Sequence, residues 1–200
     1  MKYACFLLFA LLFIACEPSS DQKKEPETTT PSTPIPATSS ADKRTALLDH
    51  LAEYIPNWQA MPPQFWLPTQ YITDYNANLP AADRISYDEN TLVFGDFNGD
   101  QREDAVGLLI NRKSEVWLMA LFGKEGGYDV EPIFPQNEGV FKQCCLGVGL
   151  KTLPPGEYND IDSGNKVQVK YDGIEYSVYE KVSFLTFLEN GKFRTIRLGD

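Results

Sequence analysis

The 200-residue chain has a single histidine, His50, and four cysteines. That leaves little material for a zinc site or for a catalytic apparatus built on histidine. Bases are also scarce, with 18 Lys and Arg against 28 Asp and Glu and a formal charge of −10. Phosphate binding needs a basic face, so nucleic acid is not expected as a partner. An anionic membrane surface is not expected as an electrostatic partner either. No apolar run reaches the ~20 residues that cross a bilayer as a helix. What is present, 42% hydrophobic and 12% aromatic residues, fits one globular domain with extensions rather than a multidomain enzyme.

The amino terminus reads MKYACFLLFALLFIAC. Lys2 precedes an apolar run from Ala4 to Ala15, which has the length of a secretory signal. The stretch Phe13-Ile14-Ala15-Cys16 resembles the lipobox of bacterial lipoproteins. Ala15 fits the small residue before the cut. Phe13 stands where Leu is usual, and Ile14 where a small residue is usual. The resemblance implies removal of residues 1–15 and lipidation of Cys16, on its side chain and on the new amino terminus. Two lipid signals already anchor a protein stably, so such a chain would be held on a membrane. Glu17 is not the Asp that marks inner-membrane retention, which points to the outer membrane of the cell envelope. Residues 17–42 contain five prolines and one large aliphatic residue, Ile35. They cannot bury enough apolar area to offset ordering entropy, and the expectation for 16–42 is a lipidated, disordered tether.

The folded part is then 43–200, a single globular domain with 15 bases and 23 acids. Asp42 is the expected cap of a helix with Leu47, Leu48, Leu51 and Ile55 on one face, stopped by Pro56. Prolines 62, 63 and 68 forbid a long helix in the next segment, leaving room for a short one near 69–77. Trp58, Phe65, Trp66, Tyr71 and Tyr75 there could form an aromatic platform for sugar or peptide. Packing as an irregular cover on the core is the simpler expectation. From residue 91 the pattern turns to strands: 92–97, 105–110, 115–122 and 128–134, then 167–171, 174–178, 182–188 and 193–198. Asp172-Gly173 and Asn190-Gly191 between alternating runs predict two-residue hairpin turns. The expected fold is α+β, mostly β, with an N-terminal helix followed by an antiparallel meander.

The stretch Phe94-Gly95-Asp96-Phe97-Asn98-Gly99-Asp100-Gln101-Arg102-Glu103-Asp104 carries the chemistry. Calcium takes six to eight oxygens, and a short loop supplies them when oxygen side chains alternate. Asp96, Asn98 and Asp100 stand at positions one, three and five, and Asp104 at nine. Arg102, at seven, would offer its backbone carbonyl. The acids at 96, 100, 103 and 104 repel one another unless a cation sits among them. Without metal the same side chains would hold the turn by Asx-type hydrogen bonds. The pattern resembles the calcium loops of FG-GAP repeats in integrin α-subunits, D-x-N-x-D-G-x-x-D, over about 94–110. That resemblance implies one bound calcium ion. Gln101 departs from it, standing where a left-handed Gly is usual. Position twelve is Gly107 rather than Glu, so the loop is not an EF-hand. Propellers need several copies, and no second one occurs, so a propeller is not expected. The wider layout resembles small bacterial lipoproteins of unassigned role.

Three further signals carry less. Adjacent Cys144 and Cys145 could be two buried thiols or a strained vicinal disulfide. His50 is accompanied by no nucleophile motif and is expected on a helix surface. Asp160 and Asp162 could form a glycosidase pair, but loop aspartates are common. The expected function is a membrane-anchored, non-catalytic envelope lipoprotein with a calcium loop, a binding or assembly module for an envelope protein or glycan. The alternatives are an envelope hydrolase acting on glycan or peptide and an enzyme-inhibitor lipoprotein.

Overall fold

A computed structural model describes residues 39–134 and 147–199. Helix α1 (Ser40–Tyr54) begins with a capping box: the Ser39 hydroxyl accepts the Asp42 N–H and the Asp42 carboxylate accepts the Ser39 N–H. The cap therefore lies three residues before the expected Asp42, because the two side chains satisfy each other's orphan N–H groups. Leu47 and Leu51 are buried, and Leu48 and Ile55 pack beside them. A wrap follows, with strand β1 (Trp58–Ala60), helix α2 (Thr69–Asn76) and one-turn helix α3 (Tyr87–Asn90). Helix α2 falls where the spacing placed it, whereas β1 and α3 were not foreseen. Trp66 is buried and Phe65 and Tyr75 pack onto the same cluster, which is the arrangement of core and cover.

Strands β2 (Leu92–Gly95), β3 (Asp104–Asn111), β4 (Val116–Lys124) and β5 (Gly127–Pro132) join β1 in one antiparallel sheet. Its order is β1–β3–β4–β5, with β2 paired to the first half of β3 and β1 to its end. Strands β6 (Val148–Leu153), β7 (Gly156–Asn159), β8 (Lys166–Val169), β9 (Gly173–Val178), β10 (Val182–Glu189) and β11 (Lys192–Gly199) make the rest. The second sheet runs β11–β10–β9–β6, and β7–β8 is a separate ribbon. The fold is α+β and mostly β, with the helix leading the strands.

Three apolar layers hold these parts together. Val106, Leu108, Leu118 and Ala120 of the first sheet meet Leu150, Ile174 and Tyr176 of the second. On the other face of the first sheet, Ala105, Leu109, Met119 and Leu121 meet Leu47 and Leu51 of α1. Strands β3 and β4 are thus covered on both sides, which explains their continuous rather than alternating apolar runs. Val167 and Val169 of the ribbon cover Leu185, Phe187 and Ile196 on the outer face of the second sheet. The wrap closes one sheet edge with side chains: Trp66 Nε1 donates to the Val148 carbonyl at 2.6 Å and Asn90 Nδ2 to that of Leu150 at 3.2 Å. Such capping removes the free edge that would otherwise template pairing.

One expected hairpin is not formed. Strands β8 and β9 flank Asp172-Gly173 but do not pair; β8 pairs with β7, and β9 with β6 and β10. Gly173 already belongs to β9, where a Cβ would come within 2.5 Å of the Leu185 side chain. Close packing accounts for that glycine. The Asn190-Gly191 hairpin forms as expected, with φ of +52° and +73° between paired Glu189 and Lys192.

Candidate functional site

Pairing of Gly95 with Asp104 leaves residues 96–103 as the tip of the β2–β3 hairpin. Phe97 points inward from it and is buried in the layer between the sheets, fixing the loop from below. The four oxygen-bearing side chains bind the loop's own backbone. Asp96 accepts the N–H groups of Gly99 at 2.7 Å and Gln101 at 3.0 Å. Asn98 accepts that of Asp100 at 2.8 Å, and Asp100 that of Arg102 at 2.9 Å. Asp104 accepts Phe97 N–H at 3.0 Å and Gly123 N–H of β4 at 2.8 Å. Gln101 takes φ +65°, a left-handed conformation. A residue with a Cβ holds it at a cost of about 1 kcal/mol or more.

Asp104 is 0% exposed. Burial pushes its carboxyl up, and the nearby Asp100 charge adds to that, while the Gly123 and Phe97 N–H groups pull it down; the net shift is upward. Asp96 and Asn98 are half-buried, whereas Asp100 and Arg102 are exposed. Each Asp96 and Asp104 oxygen accepting one N–H has a second lone pair. Among the described residues, no three Asp, Glu, His or Cys side chains form a group that could hold a metal ion. A calcium ion here would therefore draw on Asn98 and the Arg102 carbonyl as well as on the aspartates.

Two residues outside the motif complete the loop. Asp172 Oδ2 accepts the Asp96 N–H at 2.9 Å, and the Asp172 N–H donates to the Asp96 carbonyl at 3.1 Å. The Tyr171 ring covers Gly99 so closely that a Cβ there would lie 2.1 Å from it. Asp172 follows Asp96 by 76 positions, and a local motif carries no signal for such a partner. Lys43 of α1 forms an ion pair with Glu103 on the opposite flank.

The other predicted sites separate from this one. His50 lies on α1, stacked on Tyr54 at 4.6 Å and edge-on to Tyr128 at 5.4 Å. Asp160 and Asp162 stand on the exposed turn between β7 and β8. Asp160 accepts the Ser163 hydroxyl at 2.6 Å, and Asp162 pairs with Arg197 at 2.8 Å. The Ser163 hydrogen bond holds the Asp160 carboxyl below the usual range. Cys16, Cys144 and Cys145 lie outside the described residues. No protein-family profile, no curated protein and no solved structure matches the chain.

Proposed function

We propose that this chain is a membrane-anchored, non-catalytic envelope lipoprotein, lipidated at Cys16 and held on the outer membrane. Its loop at 96–104 binds one calcium ion, and its β domain serves as a binding or assembly module for an envelope protein or glycan. The lipobox-like Phe13-Ile14-Ala15-Cys16 carries the anchoring part of this reading. The observation that supports the calcium part is the loop itself, with Asp96, Asn98 and Asp100 on the hairpin tip, Asp104 at its base and Gln101 left-handed at the sixth position. Bound calcium would neutralise the crowded acids there. The hydrolase alternative draws on Asp160 and Asp162, but a general acid needs a raised carboxyl and Asp160 has a lowered one.

Extracellular calcium modules bind at ~10⁻⁴–10⁻³ M. A ligand at 100 times its dissociation constant that binds only the folded state adds ~2.7 kcal/mol. Each kcal/mol raises the melting temperature of a domain this size by about 2–4 °C. Saturating calcium is therefore expected to raise it by about 5–10 °C over a chelated sample. Asp96→Asn combined with Asp100→Asn should remove that increment. Identical melting curves with calcium and chelator, together with no calorimetric binding at millimolar calcium, would sink the calcium part.

A further inference from the structure

Groups distant in sequence hold the β2–β3 loop at three points. Before it, the Thr152 hydroxyl of β6 donates to the Phe94 carbonyl at 2.8 Å. At its first residue, Asp172 bonds both the N–H and the carbonyl of Asp96, at 2.9 and 3.1 Å, so one residue fixes both peptide groups around the Asp96 Cα. Gly95 admits the Asp172 carboxylate, since a Cβ there would come within 2.8 Å of its Oδ2. At the turn, the Tyr171 ring lies against Gly99, which takes φ +82° and has no room for a side chain. Neither Tyr171 nor Asp172 belongs to the oxygen pattern of the loop, yet both bear on it directly.

We propose that Asp172 is a positioning residue for the calcium loop: by holding the Asp96 main chain, with Tyr171 closed over Gly99, it sets how tightly the loop binds the ion. The proposal rests on the reading of this loop as a calcium site. It goes beyond that reading by giving a part to two residues outside the motif. Asp96 stands first in the oxygen pattern, and its carboxylate also accepts the Gly99 and Gln101 N–H groups. A shift of the Asp96 main chain therefore moves a ligand and the turn together. Ordering a loose loop costs conformational entropy for every residue fixed. A ligand that must supply this order binds more weakly, in proportion to the fraction of molecules whose loop is already in the competent shape. Asp172 raises that fraction before the ion arrives. It also brings a negative charge beside Asp96, and the two effects are separable. Asn at 172 keeps an acceptor oxygen for the Asp96 N–H and a main-chain N–H for its carbonyl, but carries no charge.

Calcium would be titrated by calorimetry into the full chain in detergent, as wild type and as four variants. Asp172→Ala should weaken calcium binding about tenfold, within the ordinary range of coupling between groups that share an ordered element. Asp172→Asn should stay within about threefold of wild type, because both hydrogen bonds to Asp96 are kept. Tyr171→Ala uncovers Gly99 and should weaken binding by about threefold or more, and it carries the test should Asp172→Ala fail to fold. Ile196→Val loosens the core in β11, away from the loop, and should leave calcium affinity unchanged. Absence of calcium binding by wild type overturns the calcium reading, and the proposal with it. Binding by wild type with undiminished affinity in Asp172→Ala overturns the proposal alone, as does undiminished affinity in Tyr171→Ala where that variant carries the test. Equal weakening in Asp172→Asn and Asp172→Ala overturns the positioning role and assigns the effect to charge. Equal weakening in Ile196→Val also overturns it, since any loss of stability would then suffice.

Discussion

At Asp104 a buried carboxylate, with no cationic partner among the described residues, is kept by two backbone N–H groups. Among the described residues it is the only fully buried acid. Its folded-state carboxyl is raised by burial, so the native protein holds that proton more tightly than the unfolded chain does. The resulting stability is complete below the unfolded value, ~4, and is lost as pH rises through the folded value. Calcium acts the opposite way, since it requires the ionised form. Asp104→Asn keeps the shape but offers one acceptor oxygen where two N–H groups converge. It should cost about 1–3 kcal/mol at neutral pH in chelator. The gap to wild type should widen on acidification, because only the wild type gains stability there. Urea denaturation of both proteins across pH 4–7 checks this, and parallel profiles would count against a perturbed Asp104.

At the scale of elements, two similar dipeptides met different ends. Asn190-Gly191 closes a hairpin because β10 and β11 pair along their whole length. Asp172-Gly173 offers the same positive-φ freedom, but the strands beside it join different sheets. Its aspartate turns to the Asp96 N–H, and its glycine makes room for Leu185. Turn chemistry favours a hairpin by a modest amount, whereas burying Val167 and Val169 on the second sheet stabilises each side chain by roughly 1.5–3 kcal/mol. Burial prevails. The corner at Tyr171 and Asp172 then serves as a clamp tying the β2–β3 loop to the second sheet. Asp172→Ala should lower stability by about 1–2 kcal/mol and speed hydrogen exchange at the Asp96 amide. Unchanged protection of that amide would show that the loop does not depend on the clamp.

For the whole molecule, anchoring and folding are separable predictions. Cys16→Ala should move the protein from the membrane to the soluble fraction. Wild type that is already soluble, and unacylated by mass spectrometry, would refute the lipoprotein reading. Limited proteolysis should nick the proline-rich segment first. The resistant core should begin near Ser39 rather than Lys43, because the capping box makes Ser39 part of the fold. The described residues from Ser39 onward also cluster as one compact unit. Early cuts within β2–β4, with 17–38 still intact, would overturn that boundary.

Much of this was legible in the residues because it depends on near neighbours. The leading helix, the short helix at 69–76, the strand pair flanking Asp96–Asp104 and the Asn190-Gly191 turn all follow from spacing and turn chemistry over a few residues. The loop's oxygen pattern was equally plain, whereas the left-handed φ of Gln101 was not, since Gln stands where a left-handed Gly is usual. Tertiary structure alone decided what lies between distant segments. It paired β1 with β3, parted β8 from β9, and brought Asp172 to Asp96. It also set the Tyr171 ring against Gly99, a contact that no motif marks. Local patterns record which conformations each residue tolerates; which faces meet is settled by the apolar area that all the layers can bury together.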